Sequence, residues 1–323
     1  MKTIHRSPGE DICVLLCISL FLFMNFQQII ISTCLFQHEI CVVLLGRSSC
    51  VVCQVRECGN AASWRTRPRS HWGLLQFILE CGHVVSPLFN APGVTMSIFR
   101  VDWLHAADQG VTADFLGNLL ILLSTKCTGN NHQERVADLW GKIQSWYSEN
   151  NIEDRLQNLV DTMLKQPKKA PKLRASAAHC RALVPFAQQE ANRLLDDSQP
   201  EEAAAKIAMF HLSQCYRALG SDSMFAADVL REHSTKFALQ FVALERYAGD
   251  SKGWRVKPKL HLFLHLCSDG CRPATFWTYR DEDYGGSVSS RSRRRGGLLS
   301  APAFSRNLLE RFRMQPMIRM RDS

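Results

Sequence analysis

Arg100-Val-Asp-Trp-Leu-His-Ala-Ala-Asp-Gln-Gly110 stands where the chain changes pattern. Residues 94–101 are rich in beta-prone side chains, whereas the residues that follow read as helical almost to position 231. The stretch therefore predicts a strand that ends at Asp102 and a helix that opens beyond it. An acid closing a strand, with His105 on the next turn, is an arrangement on which sites are commonly built. A second dense acidic group beside aromatic rings comes much later, Tyr279-Arg-Asp-Glu-Asp-Tyr284.

Working outward, residues 113–124 carry Phe115, Leu116, Leu119, Leu120, Leu122 and Leu123. Such a segment reads as a buried helix too short to span a bilayer. Asn131 with Glu134 forms a capping-box pattern ahead of Val136, Leu139, Trp140, Ile143 and Trp146, which share one broad helical face. Asn151 with Asp154 repeats the start signal before Leu156, Leu159, Val160 and Met163. After a basic, proline-containing connector at 165–174, residues 175–195 read as a helix kinked at Pro185. Ser198-Gln-Pro-Glu201 starts another, stopped at Gly220, and residues 224–247 form a long further helix closed by Gly249. The expected fold is mainly α, an antiparallel helical bundle, since helices in series bury their apolar stripes most simply against one another.

Composition bounds the rest. With 323 residues, 46% of them apolar, the chain can bury a substantial core. Its formal charge of +9 is uneven: residues 291–323 hold nine Arg against two acids. A basic end of this kind favours nucleic acid or an anionic membrane as partner. Eight of the thirteen Cys precede position 82, and the density is too low for a small disulfide scaffold, so the thiols are expected to be reduced or buried. Residues 12–37 contain no charged side chain, and a helix over 12–31 would cross a membrane. A cleaved signal peptide and buried strands are the competing readings of that run. Residues 40–45 and 50–55 suit a hairpin equally well. The division that results is an apolar segment at 1–45, a Cys/Arg-rich linker at 46–86, a mainly helical domain at 87–290 and a basic segment at 291–323.

Chemistry-bearing residues are few. Asp102 with the Asp281, Glu282 and Asp283 group is suited to Mg²⁺, a hard cation that takes oxygen ligands, provided the two regions meet. His261 and His265 fall on one face if their segment is helical, with Cys267 and Cys271 nearby, although the spacing is not that of a common zinc site. Cys50-x-x-Cys53 lies in a beta-prone run, without the helix start a redox motif wants. Arg291, Arg293, Arg294 and Arg295 suit phosphate contacts. No Gly-rich nucleotide loop, nucleophile elbow or kinase signature is present.

Arg100-Val-Asp-Trp-Leu-His, Lys257-Pro-Lys-Leu-His-Leu-Phe, Phe276-Trp-Thr-Tyr-Arg-Asp-Glu-Asp-Tyr-Gly-Gly and Arg294-Arg-Gly-Gly297 resemble the landmarks of a protein family multiplied in dinoflagellate genomes. Their layout resembles the C-terminal half of cut-and-paste DNA transposases, whose ribonuclease-H-like core is interrupted by a helical insertion. The resemblance implies a bundle inserted in a truncated α/β core. Asp102 and Glu282, with Asp283 as substitute, would be remnant catalytic and Mg²⁺-binding acids flanked by His105, His261 and His265. It also implies nucleic-acid binding through Arg291, Arg293, Arg294 and Arg295, and residence in the nucleus. The first acid of such a site has no counterpart here, because Asp11 is the only Asp before Asp102. The expectation is thus a transposase-derived, catalytically inactive protein. The alternative is a helical interaction protein anchored in a membrane through residues 12–31.

Overall fold

Neither Val101 nor Asp102 lies in a strand. Asp102 stands at the head of a continuous helical rod in a computed structural model that describes residues 101–220, 225–249, 251 and 253–279. The rod begins as a π-helix over Leu104–Thr112 and passes without a break into α1, Ala113–Ser124. At the junction the amide of Ala113 reaches back to the carbonyl of Asp108, the five-residue hydrogen bond that defines the wider winding. The rod is buried on almost every side, which places it at the centre of the bundle. Phe115, Leu116, Leu119, Leu120 and Leu123 are fully buried. Gly117 is required by this crowding, because a Cβ there would lie 2.4 Å from the Cα of Lys172. Beside it the amide of Leu173 donates to the Ala113 carbonyl at 2.8 Å, which fastens the connector to the rod.

The helices around the rod are α2 His132–Glu149, the single turn α3 Asp161–Leu164, α4 Ala177–Leu194, α5 Pro200–Gly220, α6 Ala227–Ala248 and α7 Pro258–Ser268. Their starts follow local chemistry. Asn131 Oδ1 accepts from the Glu134 amide at 2.9 Å, and Ser176 caps α4 by accepting from His179. Pro200 and Pro258 occupy first-turn positions, where the missing N–H costs nothing. Helices α5 and α6 pack along most of their length, α7 lies against α6 and the π-segment, and α4 bridges α1 and α5. Phe115 sits among Phe237, Phe241 and Trp254 with ring centroids 5.3–5.5 Å away. Each such buried ring stabilises the fold by about 1.5–3 kcal/mol through removal of its surface from water. All described elements belong to one compact unit that ends at Trp277.

Several expectations are corrected. No strand occurs among the described residues, so the mainly helical bundle stands but the ribonuclease-H-like α/β core around it does not. Val101 and Asp102 lead directly into helix, and residues 94–100 lie outside the described residues. The expected membrane partner also lacks support: no described helix is long and apolar enough to cross a membrane. The most apolar of them, α1, has 12 residues. Residues 12–31 and the hairpin proposed for 40–55 lie outside the described residues. Asn151 does not start a helix. With φ at +52° it ends α2, and the Ile152 amide closes back onto the Tyr147 carbonyl at 3.1 Å. Asn serves both helix starts and left-handed helix ends, and here the second use wins. The described cysteines, Cys127, Cys180, Cys215, Cys267 and Cys271, are free, and only Cys271 is partly exposed.

Candidate functional site

The carboxylate of Asp102 is fully buried at the start of the rod. Its Oδ2 accepts the His105 amide at 3.0 Å and lies 2.7 Å from His105 Nδ1. A carboxylate can only accept, so the imidazole donates from Nδ1 and is held in one orientation. Asp102 thus does the work of an N-cap for the π-segment and sets the ring of the residue one turn on.

Five residues after Trp103 comes Asp108, which the π-winding brings beneath the indole. Trp103 Nε1 donates to Asp108 Oδ1 at 3.1 Å, and Tyr216 of α5 donates its hydroxyl to the same carboxylate oxygen. Thr112 completes the chain with its hydroxyl 2.7 Å from that of Tyr216. The rings pack edge to face around this network, Trp103 lying 5.6 Å from Tyr216 and 5.7 Å from Phe263. Lower on the rod, Asp114 receives Lys257 Nζ at 2.6 Å, with Lys172 Nζ at 4.0 Å. Lys259 Nζ donates to the His105 carbonyl at 3.0 Å, and Lys172 Nζ to that of Gln109 at 2.7 Å. Asn118 links Asp114 to the backbone of Trp254. Burial, with the nearby carboxylates of Asp108 and then Asp114, pushes the Cys180 thiol up to about 12, which leaves it unreactive.

Two sequence landmarks therefore meet in space. The Asp102 stretch and Lys257-Pro-Lys-Leu-His-Leu-Phe are joined through Lys259 and Phe263, with Lys257 reaching Asp114 one turn beyond, and what they build is the packed head of the bundle. His261 and His265 lie on α7 as expected of a helix, with Nε2 atoms 2.9 Å apart and His265 buried. Among the described residues no group of three or more His, Cys, Asp or Glu side chains is placed to hold a metal ion. Glu282, Asp283, Arg291, Arg293, Arg294 and Arg295 lie outside the described residues. The convergence of Asp102 with Glu282 on Mg²⁺ therefore also lies outside the described residues.

Sequence reasoning missed Asp108 and Tyr216, because a five-residue interval belongs to no α-helical face and Tyr216 arrives from a distant helix. It also missed a pair on the surface, His211 of α5 and His233 of α6, whose Nδ1 atoms are 2.9 Å apart. Around that pair lies the other distinctive feature of the molecule. The large apolar residues most exposed to solvent in the described chain are Val160, Ile207, Phe210, Val229, Leu239 and Tyr247. All but Val160 belong to the α5–α6 hairpin.

The chain matches no known protein family, no curated protein and no solved structure. The expected kinship with transposases is accordingly withdrawn, both because no family supports it and because the described residues hold no strand for such a core. No family supports a DNA-binding role, and the basic run expected to contact nucleic acid lies outside the described residues.

Proposed function

We propose that this chain is a helical interaction module that receives an amphipathic helix of another protein on the outer face of α5 and α6. The observation that carries the reading is the concentration of exposed apolar side chains on these two adjacent helices. Ile207, Phe210 and Gln214 recur at helical spacing along α5, and Val229, His233 and Lys236 do so along α6. The two rows run side by side where His211 meets His233. Ile207 and Phe210 on α5 and Val229 on α6 are the apolar anchors of these rows, and such intervals suit the helix-in-groove mode of recognition.

Charge supports a protein partner over a polyanion on this face. Arg231 is paired with Asp228 at 2.9 Å, Lys236 with Glu232 at 2.6 Å and Lys206 with Asp197 at 3.0 Å. Cations paired in this way add less attraction for phosphate, and the exposed apolar groups beside them carry the contact.

The test is site-specific photo-crosslinking of the full chain in its native cells, with the reactive group at Leu239 and, as control, at exposed Glu153. The expected result is one protein crosslinked from Leu239 but not from Glu153, lost in Ile207→Asp and Phe210→Asp. An isolated amphipathic helix of that protein should then bind the purified chain. Equal products from both positions, insensitivity to the two substitutions, or crosslinking to nucleic acid would defeat the reading. A crosslinked dimer of this chain would replace the foreign partner with a second copy.

A further inference from the structure

We propose that His211 and His233 form a two-histidine chelate for a divalent transition metal of tetragonal preference, Ni²⁺ or Cu²⁺, across the outer seam of α5 and α6. The two imidazoles come from separate helices, 22 positions apart in the chain, and point Nδ1 at Nδ1 across 2.9 Å. Ligand nitrogens about 2.0–2.1 Å from a metal lie roughly 2.9 Å apart when they occupy neighbouring corners of a square, and roughly 3.3 Å apart at a tetrahedral ion. The observed separation is that of a hydrogen bond between the rings, from which a small turn of each ring would seat one ion against both nitrogens; imidazole ligands suit Cu²⁺ and Ni²⁺, which stand highest in affinity among the first-row divalent metals.

The surroundings fit a ligand pair. Both residues are half-buried, so the rings are held by packing yet remain within reach of solvent. Phe210 lies 5.2 Å from the His211 ring and 6.0 Å from that of His233, and walls one side of the pair. The nearest fixed charges are Glu232 and Lys236, which are bonded to each other at 2.6 Å. Without metal, one imidazole donates its Nδ1–H to the lone pair of the other. With metal, that proton moves to Nε2 of the same ring and both Nδ1 lone pairs face the ion, so binding to two neutral rings needs no net proton release. Water completes the coordination. The other close pair, His261 and His265, lies on a single helix with His265 buried and so serves as a control.

The experiment is calorimetric titration of Ni²⁺ into the tag-free full chain under reducing conditions that do not chelate, together with thermal unfolding. The expected result is a first equivalent that raises the melting temperature, because an ion bridging two helices stabilises only the folded form. That equivalent should weaken about tenfold or more in H211N and in H233N, since the second ligand no longer binds intramolecularly. It should be unchanged in H261N. Circular dichroism reports whether each variant keeps its helices, and H211Q provides a second non-chelating side chain if H211N does not. Absence of a first equivalent, its persistence in the H211N/H233N double variant, or its loss in H261N would overturn the assignment.

Discussion

The central rod and the α5–α6 hairpin handle polar and apolar groups in opposite ways. Inside, Asp102, Asp108 and Asp114 are buried, and each is met by donors from other residues: His105 for the first, Trp103 and Tyr216 for the second, Lys257 for the third. Outside, on the hairpin, Leu239 is 65% exposed with no polar group to explain it, and the ring of Tyr247 is 59% exposed. Burying a carboxylate is tolerable only when hydrogen bonds replace its water, so the rod's acids are the mark of a solved packing problem. Large apolar groups left in water solve no packing problem within the chain, and so they point beyond it. Asp102, the one described acid that read as chemistry in the sequence, holds the His105 ring and amide, and the exposed apolar residues of the hairpin are the better functional lead.

The sharpest way to break this contrast is to shorten one apolar side chain on each side of it. Phe115→Ala should lower stability by about 3–5 kcal/mol, because the cavity would open among Phe237, Phe241 and Trp254. Leu239→Ala should stay within about 0.5 kcal/mol, as surface substitutions do. Denaturant midpoints at constant slope measure both, and comparable losses would mean that the hairpin face is covered in the folded chain.

A smaller effect should follow from the acids. Asp108→Ala leaves the Trp103 indole and the Tyr216 hydroxyl without their shared acceptor and should cost about 1–3 kcal/mol. Tyr216→Phe in that background should then cost less than in the native chain, because the partner it loses has already gone. Strict additivity of the two substitutions would show that the network is not one unit.

The smallest effect is expected from pH on the hairpin. Burial, then the neighbouring His233 and Lys236, hold the His211 pKa below its ordinary value. The unfolded chain therefore takes up the proton more readily than the folded one. Its contribution is complete above the unfolded value of about 6.5 and is lost as pH falls from there through the lower folded value. Melting temperatures at pH 7.5 and 5.5, without metal, should drop less on acidification in His211→Gln than in the native chain. An equal drop would locate the acid sensitivity elsewhere.

Much of the bundle was legible because helix starts and apolar stripes are local. The segment 113–124 is α1 to the residue, and the Asn131/Glu134 capping pattern is a real cap. Pro200 and Gly220 bracket α5, and Gly249, at φ +55°, ends α6. The failures share one cause. Val101 and Asp102 read as the end of a strand because beta-prone composition is a weak local preference, overridden when Trp103 and Leu104 find a buried helical seat. The Asn151 signal was ambiguous for the same kind of reason, one side chain serving two backbone conformations.

By itself the sequence determined the helical class, the order of the long helices and which faces must be buried, since these depend on neighbours within a turn or two. Only the tertiary structure decided what Asp108 does, because its partners arise from a five-residue winding and from a helix more than a hundred positions away. Only the packing of α5 on α6 brought His211 to His233, and only the finished surface distinguished an apolar side chain that the fold uses from one that it leaves for a partner.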